Sequence, residues 1–412
     1  MIKGSFKDFT FFILQAIICA TGYICESVVW FKIAAAFILI FCILKGRQQK
    51  YIINPYYLLI MTPISLLIYY NIGDSFLVDL TVDTWLLIIS NVNALLFGLV
   101  YTSKTKFRER IIRISKRKRL YKRLSLIFVI IGIIPPIIYG FTGIIIYFSY
   151  IISMFATVGV ITAFASKNKK LCFITIAIYL IPMIFGEASK TGVLTLLIAM
   201  LVAYEKFYMN FSTIAAYAKA RKRIIIGCTL AIPMMIYAFT FANKDRGSYD
   251  NEEIFSYYET RVEWNYNTAY FMPYMYIVTP WANLQYVTEY QDTRSYGYWF
   301  SKPVLGVFLG DKLLKDDYIP QSYSAFNTFS FIGLHFKDFG YWGSLFASLF
   351  LGFFIKKVYS LYSQSPSPFD AASYVFTAQA TLELFFSNHF FGQSYPFMIV
   401  IVMYLFKKFL RV

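Results

Sequence analysis

The sequence has little charge, few histidines and no metal-type cysteine pattern, and each shortage excludes a class of protein. Charged residues make up 15% of the 412 residues, a share typical of membrane proteins rather than of soluble domains. The two histidines, His335 and His389, lie far apart, and no CxxC or Cys/His spacing typical of zinc sites occurs. The five cysteines fall in or beside apolar runs, so no disulfide framework is visible.

Apolar residues are abundant instead, at 58% of the chain. They form repeated runs whose lengths approach the ~20 residues that a helix needs to cross a bilayer. We therefore predict an all-α polytopic membrane protein with about 12 transmembrane helices, held together by helix–helix packing in lipid. The predicted spans are residues 9–23, 27–44, 56–71, 80–101, 125–140, 144–166, 171–185, 189–206, 224–241, 338–356, 370–386 and 395–409.

The spans divide the chain into three predicted regions. Residues 1–241 form an N-terminal transmembrane bundle of about nine spans, and residues 337–412 form a C-terminal group of about three. Residues 242–336 form one large external loop between them. The first apolar run is followed by a second run and by no convincing cleavage site, which favours a helical hairpin over a signal peptide.

Positive charges cluster between the spans. About 29 of the 39 Lys and Arg residues lie in such clusters, and 11 of them fall within residues 104–123. This distribution follows the positive-inside rule and predicts that both termini are cytoplasmic. The 104–123 cluster could also bind anionic lipid headgroups, but a topology signal alone explains it. The net charge of +17 therefore does not indicate nucleic-acid binding.

The long stretch from Asn243 to His335 differs from the rest of the chain. It carries 11 acidic and seven basic residues, and it is rich in Tyr and Trp rather than in linker residues. We predict that Ile254–Val278 and Asp311–Phe329 form short amphipathic helices that lie on the membrane. Aromatic rings with a polar tip suit sugar binding, although the same rings are typical of a membrane interface.

Four cations are candidates for binding phosphate. Lys190 lies in an external turn at the start of a helix, where unpaired N–H groups and a cation favour an anion. A weak surface pair with Glu187 is the alternative. Arg246, Arg261 and Arg294 lie in the loop, and a guanidinium binds phosphate oxygens through two parallel hydrogen bonds. For each arginine, a structural salt bridge is the alternative.

Rings and polar groups near these cations are further candidates. Tyr258, Trp264 and Tyr296 are neighbours of the arginines and could contact a sugar chain. His335 and Asp338 lie just before the returning helix, where either could accept a proton from an attacking hydroxyl. The alternatives are an interfacial hydrogen bond for His335 and a helix N-cap for Asp338.

Motifs across residues 290–355 resemble those of a known family. Asn327–Phe331, with the sequence Asn-Thr-Phe-Ser-Phe, and Lys337–Gly343, with Lys-Asp-Phe-Gly-Tyr-Trp-Gly, are followed by Leu351–Phe354. This arrangement resembles the end of the large external loop and the next helix in bacterial O-antigen and capsule repeat-unit polymerases. Tyr296–Gly306 resembles the segment before it, and the topology is similar along the whole chain.

The resemblance implies an enzyme at the outer face of the bacterial inner membrane, with a fold similar to that of lipid-donor (C-type) glycosyltransferases. Undecaprenyl-pyrophosphate-linked oligosaccharides would be both donor and acceptor, and the growing chain would move onto the non-reducing end of a new unit. No metal and no cofactor are implied, and the first external loop offers a single acid, Glu26. Membrane lipids and a protein that sets chain length would be partners.

The resemblance also assigns roles. Arg261 and Arg294 would stabilise the leaving pyrophosphate together with Lys190, which stands where many members have arginine. His335, or an acidic loop residue, would assist the acceptor hydroxyl, and Asn327 would bind substrate.

Two other functions remain open. A ligase of the same architecture would transfer a finished chain to a different acceptor. A lipid-oligosaccharide flippase or another transporter would move its substrate without chemistry. Transporters tend to have internal repeats and charges buried in mid-span, and neither is evident in this sequence.

Overall fold

The computed structural model describes residues 6–71, 77–101, 117–142, 149–184, 190–209, 222, 270–290, 294–301, 328–387, 389–390 and 395–410. Within these ranges the regular structure is entirely helical, which confirms the predicted all-α class for this part of the chain. The helices are α1 (Phe6–Ile24), α2 (Val28–Arg47), α3 (Pro55–Leu58), α4 (Met61–Asn71), α5 (Val82–Tyr101), α6 (Lys118–Thr142), α7 (Ser149–Ala165), α8 (Lys169–Ile184), α9 (Lys190–Phe207), α10 (Phe271–Tyr290), α11 (Phe331–Gln364), α12 (Pro368–Leu382) and α13 (Tyr395–Phe409).

Helices occupy the predicted spans wherever those spans fall in the described residues. Five of them, α1, α2, α5, α6 and α11, are long and apolar enough to cross a membrane. An α-helical membrane protein is therefore supported, while the number of 12 spans stays a prediction. The predicted span at residues 224–241 lies outside the described residues.

Helix boundaries differ from the predictions at a proline and at the start of α11. Helix α11 begins at Phe331, seven residues before the predicted span, so His335 and Asp338 lie within the helix and not just before it. The predicted span 56–71 is divided into α3 and α4, because Pro63 has no N–H with which to continue the helix through Leu59. In α6, by contrast, the helix continues past Pro135 and Pro136 to Thr142, so these prolines do not end it.

One prediction about the long loop is wrong in the part that the structure describes. Its helix α10 does not lie on a membrane surface but is buried on nearly all sides. Trp281 Nε1 donates a hydrogen bond to Ser65 Oγ of α4 at 3.0 Å, and Thr81 N donates to Gln285 Oε1 at 2.9 Å. Apolar residues surround the helix axis, and a helix of that kind packs inside a bundle. The rest of the loop prediction lies outside the described residues.

Ion pairs join neighbouring helices at one end of the bundle, which we call the basic end. Asp8 at the start of α1 pairs with Lys45 near the end of α2. Asp370 at the start of α12 pairs with Lys407 near the end of α13 at 2.6 Å. These are the ends that the charge distribution predicts to be cytoplasmic.

Hydrogen bonds join helices at the other end of the bundle, which we call the opposite end. Tyr179 Oη of α8 donates to the Gly192 carbonyl of α9 at 3.1 Å. The hydroxyls of Thr84 in α5 and Thr288 in α10 lie 2.8 Å apart. Together with the ion pairs at the basic end, these contacts show that α1 and α2, α8 and α9, and α12 and α13 run antiparallel.

Small residues let α5 and α11 approach closely. A Cβ added to Gly352 would overlap the Leu95 carbonyl, and a Cβ added to Gly98 would overlap the Leu349 carbonyl. Close backbone approach at glycines is a common means of helix association in membranes. The contact fixes α11, which carries part of the candidate site, against the bundle.

Gly352→Leu should destabilise the protein, because its side chain would collide with the α5 backbone. Overpacking of this kind costs about 1–3 kcal/mol or more, so we expect a lower Tm in detergent by scanning fluorimetry. Phe350→Leu is a control on the same helix, at a residue that is 53% exposed. An equal Tm for the two variants would contradict the close α5–α11 contact.

Candidate functional site

The site begins at a break in α11. Gly340 has φ 67° and ψ −164°, a conformation with positive φ that residues with a Cβ rarely adopt. The break separates Phe331–Phe339, which we call the arm, from the longer remainder of α11. The arm lies at the opposite end of the bundle and packs beside Arg294–Ser301, which we call the loop segment.

Asp338 joins the arm to the loop segment. Its Oδ1 accepts a hydrogen bond from Trp299 N at 3.1 Å and its Oδ2 accepts one from Phe300 N at 2.8 Å. These N–H groups belong to the first turn of a helix that starts at Tyr298. Asp338 therefore acts as a cap for a helical turn of a different segment, and both of its oxygens are occupied.

Arg294 is fixed against the same arm. Its Nη1 donates to the Phe336 carbonyl at 2.9 Å, and its guanidinium carbon lies 4.6 Å from the centre of the Phe336 ring. A Cβ on Gly340 would lie 3.3 Å from the Arg294 Cζ, so the glycine leaves the space that the guanidinium occupies. The Arg294 side chain remains exposed.

Tyr296 is the most exposed ring of the loop segment. Tyr296 and Gly297 have φ values of 48° and 86°, and this left-handed turn projects the Tyr296 ring outward, where it is 87% exposed. Arg294 and Tyr296 thus both have exposed side chains on one short segment, and the prediction that they share a ligand stays a prediction.

His335 lies deeper than the sequence suggested. It is on the arm and is only 1% exposed, so a sugar hydroxyl does not reach it in this conformation. Its proposed role stays a prediction that would require the arm to move.

Among the other predicted site residues, the structure describes the helix position of Lys190. Lys190 is the first residue of α9, in agreement with its predicted place at a helix start. The candidates that lie outside the described residues are Arg246, Tyr258, Arg261, Trp264 and Asn327.

A second polar cluster lies at the opposite end, and the sequence analysis did not select it. Glu383 follows the last residue of α12, and its Oε2 lies 3.0 Å from His389 Nε2. Gln379 Nε2 donates to the same Oε2 at 3.4 Å, and Thr195 Oγ1 donates to Gln379 Oε1 at 2.5 Å. The cluster joins α9, α12 and the turn before α13.

One sequence signal could have revealed this cluster. Glu383 is the single acidic residue after Asp370, and it stands in an apolar run six residues before one of the two histidines. An ionisable residue at the end of an apolar span is costly and is a candidate functional residue for that reason.

Helix α10 contacts elements of both clusters. It contacts α11 and also the turn Glu383–Phe385. The Tyr276 ring of α10 lies 5.6 Å from the ring of Phe386, and Asn283 Nδ2 donates to the Thr328 carbonyl just before the arm at 3.0 Å. Within the described ranges, no group of three or more His, Cys, Asp or Glu residues could hold a metal ion.

Comparisons with known proteins give no family assignment. No protein-family model, no curated protein and no solved structure matches the chain. The candidate function therefore depends on the geometry of the two clusters and on the motif resemblance.

Asp338→Ala should loosen the loop segment, because Trp299 N and Phe300 N would lose their acceptor. The loss of such a cap costs about 0.5–2 kcal/mol, and we expect faster amide hydrogen exchange in a peptide that covers Arg294–Ser301. Asp83→Asn, at an exposed carboxylate of the same end, should leave that exchange unchanged. Unaltered exchange in Asp338→Ala would contradict the capping role.

Proposed function

We propose that the chain is a membrane-embedded glycosyltransferase that polymerises oligosaccharide repeat units carried on undecaprenyl pyrophosphate. The reaction takes place at the outer face of the bacterial inner membrane and uses no metal. The observation that carries the proposal is the Arg294 guanidinium, which is fixed against the arm of a helix long enough to cross a membrane and belongs to the same short segment as the exposed ring of Tyr296.

The chemistry of glycosyl transfer supports this use of Arg294. Negative charge develops on the pyrophosphate as it leaves, and a cation held in place beforehand stabilises that charge without reorganisation. Within the described residues, Arg294 uses Nη1 alone, on the Phe336 carbonyl. Further donors of its planar fork can bind phosphate oxygens.

Sugar recognition falls to the exposed aromatic residues. The Tyr296 ring offers a face for the C–H side of a sugar and a hydroxyl for its polar side. Phe339, just before the break of α11, and Trp342, two residues after it, are also exposed, at 44% and 73%. The Phe339 ring lies 6.4 Å from the ring of Phe300 in the loop segment, so apolar side chains of the two elements meet there.

The remaining assignments follow from the sequence. Lys190 and Arg261 supply further positive charge to the pyrophosphate, while Tyr258 and Trp264 extend the sugar-binding surface. The donor and the acceptor are both lipid-linked oligosaccharides, and a separate protein sets the chain length. Ligase activity and transport are the two rival functions, and the genetic test below distinguishes all three.

Deletion of the gene should abolish long polymer in the bacterium that carries it and leave single repeat units. Arg294→Ala should have the same effect, with a decrease in elongation rate of about 10²–10³-fold, as when a fixed donor to a developing oxyanion is removed. Arg119→Ala, at an exposed arginine near the start of α6, is the matched control and should restore normal polymer. Chain lengths are read on gels of surface and lipid-linked glycans.

The outcomes separate the rivals. Long chains that persist on undecaprenyl pyrophosphate in the deletion strain would indicate a ligase, and lipid-linked units trapped at the inner face would indicate a flippase. Normal polymer in the deletion strain would refute the proposed function. Normal polymer in Arg294→Ala alone would remove Arg294 from the site.

A further inference from the structure

We propose that Glu383, oriented by His389 and Gln379, is the general base that accepts the proton of the attacking sugar hydroxyl. This inference rests on the proposed function and deepens it, because it names a catalytic group in the helical bundle. Of the two candidates on the arm, His335 is buried and each oxygen of Asp338 accepts a backbone hydrogen bond, so neither is placed to take that proton in this conformation.

One oxygen of the Glu383 carboxylate contacts two neighbouring side chains, and the other is available to accept a proton. Oε2 faces His389 Nε2 at 3.0 Å and Gln379 Nε2 at 3.4 Å. Oε1 makes no hydrogen bond to any residue that the structure describes, and the side chain is 14% exposed. Since a carboxylate oxygen only accepts, His389 Nε2 carries the proton in this pair.

Gln379 is itself held in one orientation. Thr195 Oγ1 donates to its Oε1 at 2.5 Å, which turns the amide Nε2 towards Glu383. Gln379 and Thr195 are both buried. A carboxylate whose hydrogen-bond partners are oriented in turn by a third group is the arrangement expected of a catalytic base.

The buried carboxylate at the basic end provides a contrast. Glu205 is fully buried, and its two oxygens accept hydrogen bonds from the backbone N–H groups of Ile52 and Ile53. Every oxygen of that carboxylate is occupied by the protein itself, as expected for a structural group. Glu383 differs in that one oxygen remains accessible at the end where the site lies.

The position of the pair suits the reaction. Thr195 lies five residues after Lys190 on α9, a rise of about 7.5 Å along the helix. The predicted phosphate-binding cation and the support of the proposed base therefore belong to the first two turns of one helix. Helix α10 contacts both the turn at Glu383 and α11, so a substrate that spans the two clusters would lie across α10.

The proposed step is balanced without any further reactant. The acceptor hydroxyl oxygen bonds to the anomeric carbon of the donor as its O–H bond breaks, and the proton moves to Glu383 Oε1. The bond between the anomeric carbon and the phosphate oxygen breaks, and its electron pair leaves with the pyrophosphate. Water later removes the proton from Glu383.

Glu383→Gln should abolish elongation while preserving the fold, because glutamine keeps the shape but cannot accept the proton. The assay uses purified protein in nanodiscs and lipid-linked repeat units extracted from the deletion strain. We expect the elongation rate to fall about 10²–10⁴-fold, as for loss of a general base, with unchanged Tm and unchanged binding of the extracted units. Asp83→Asn is the matched control and should retain the full rate.

A chemical rescue distinguishes a base from a structural pair. Glu383→Ala leaves space for a small carboxylate, so added formate should raise its elongation rate at least tenfold and should leave wild type and Arg294→Ala unchanged. Full activity in folded Glu383→Gln, or no response of Glu383→Ala to formate, would overturn the inference. Inactive wild-type protein in the same assay would instead contradict the proposed function.

Discussion

The hydrogen bonds of the Asp338 carboxylate connect the loop to the membrane bundle. Two backbone N–H groups of the loop segment end on this one side chain, and the segment carries both Arg294 and Tyr296. Because Gly340 interrupts α11 two residues later, the arm can turn its carboxylate towards the loop while the rest of the helix packs against α5. The geometry of the candidate phosphate site depends on this connection.

The two ends of the bundle have different character. At the basic end, Lys206 donates to the Tyr362 carbonyl and lies over the rings of Tyr51 and Tyr362, and Glu205 is saturated by backbone donors. Such satisfied polar contacts make that end rigid. At the opposite end the Arg294 side chain is exposed, and Glu383 Oε1 accepts no hydrogen bond from any described residue. Groups that bind a substrate or take a proton need such free capacity. We therefore place the chemistry at the opposite end.

The fold was predictable where composition decides it. Apolar runs separated by basic clusters predicted the helices of the described residues, because placing charge and open backbone in lipid is costly. Local patterning could not reveal the burial of α10, since surface and buried helices can both be rich in rings. The Glu383 cluster depends on a contact between Thr195 and Gln379, which are 184 residues apart, and no local pattern encodes such a contact. Arg294 and Tyr296 share a segment because they are two residues apart in the chain, and their roles stay a prediction.

The central claim is that a lipid pyrophosphate binds at the loop segment with its sugar directed across α10. A cryo-electron microscopy map of the protein in nanodiscs with a lipid-linked repeat unit tests this most directly. The account predicts diphosphate density within hydrogen-bonding distance of the Arg294 guanidinium, and a sugar between Tyr296 and Glu383. Diphosphate density at the basic end, or on a face of the bundle remote from Arg294, would contradict it.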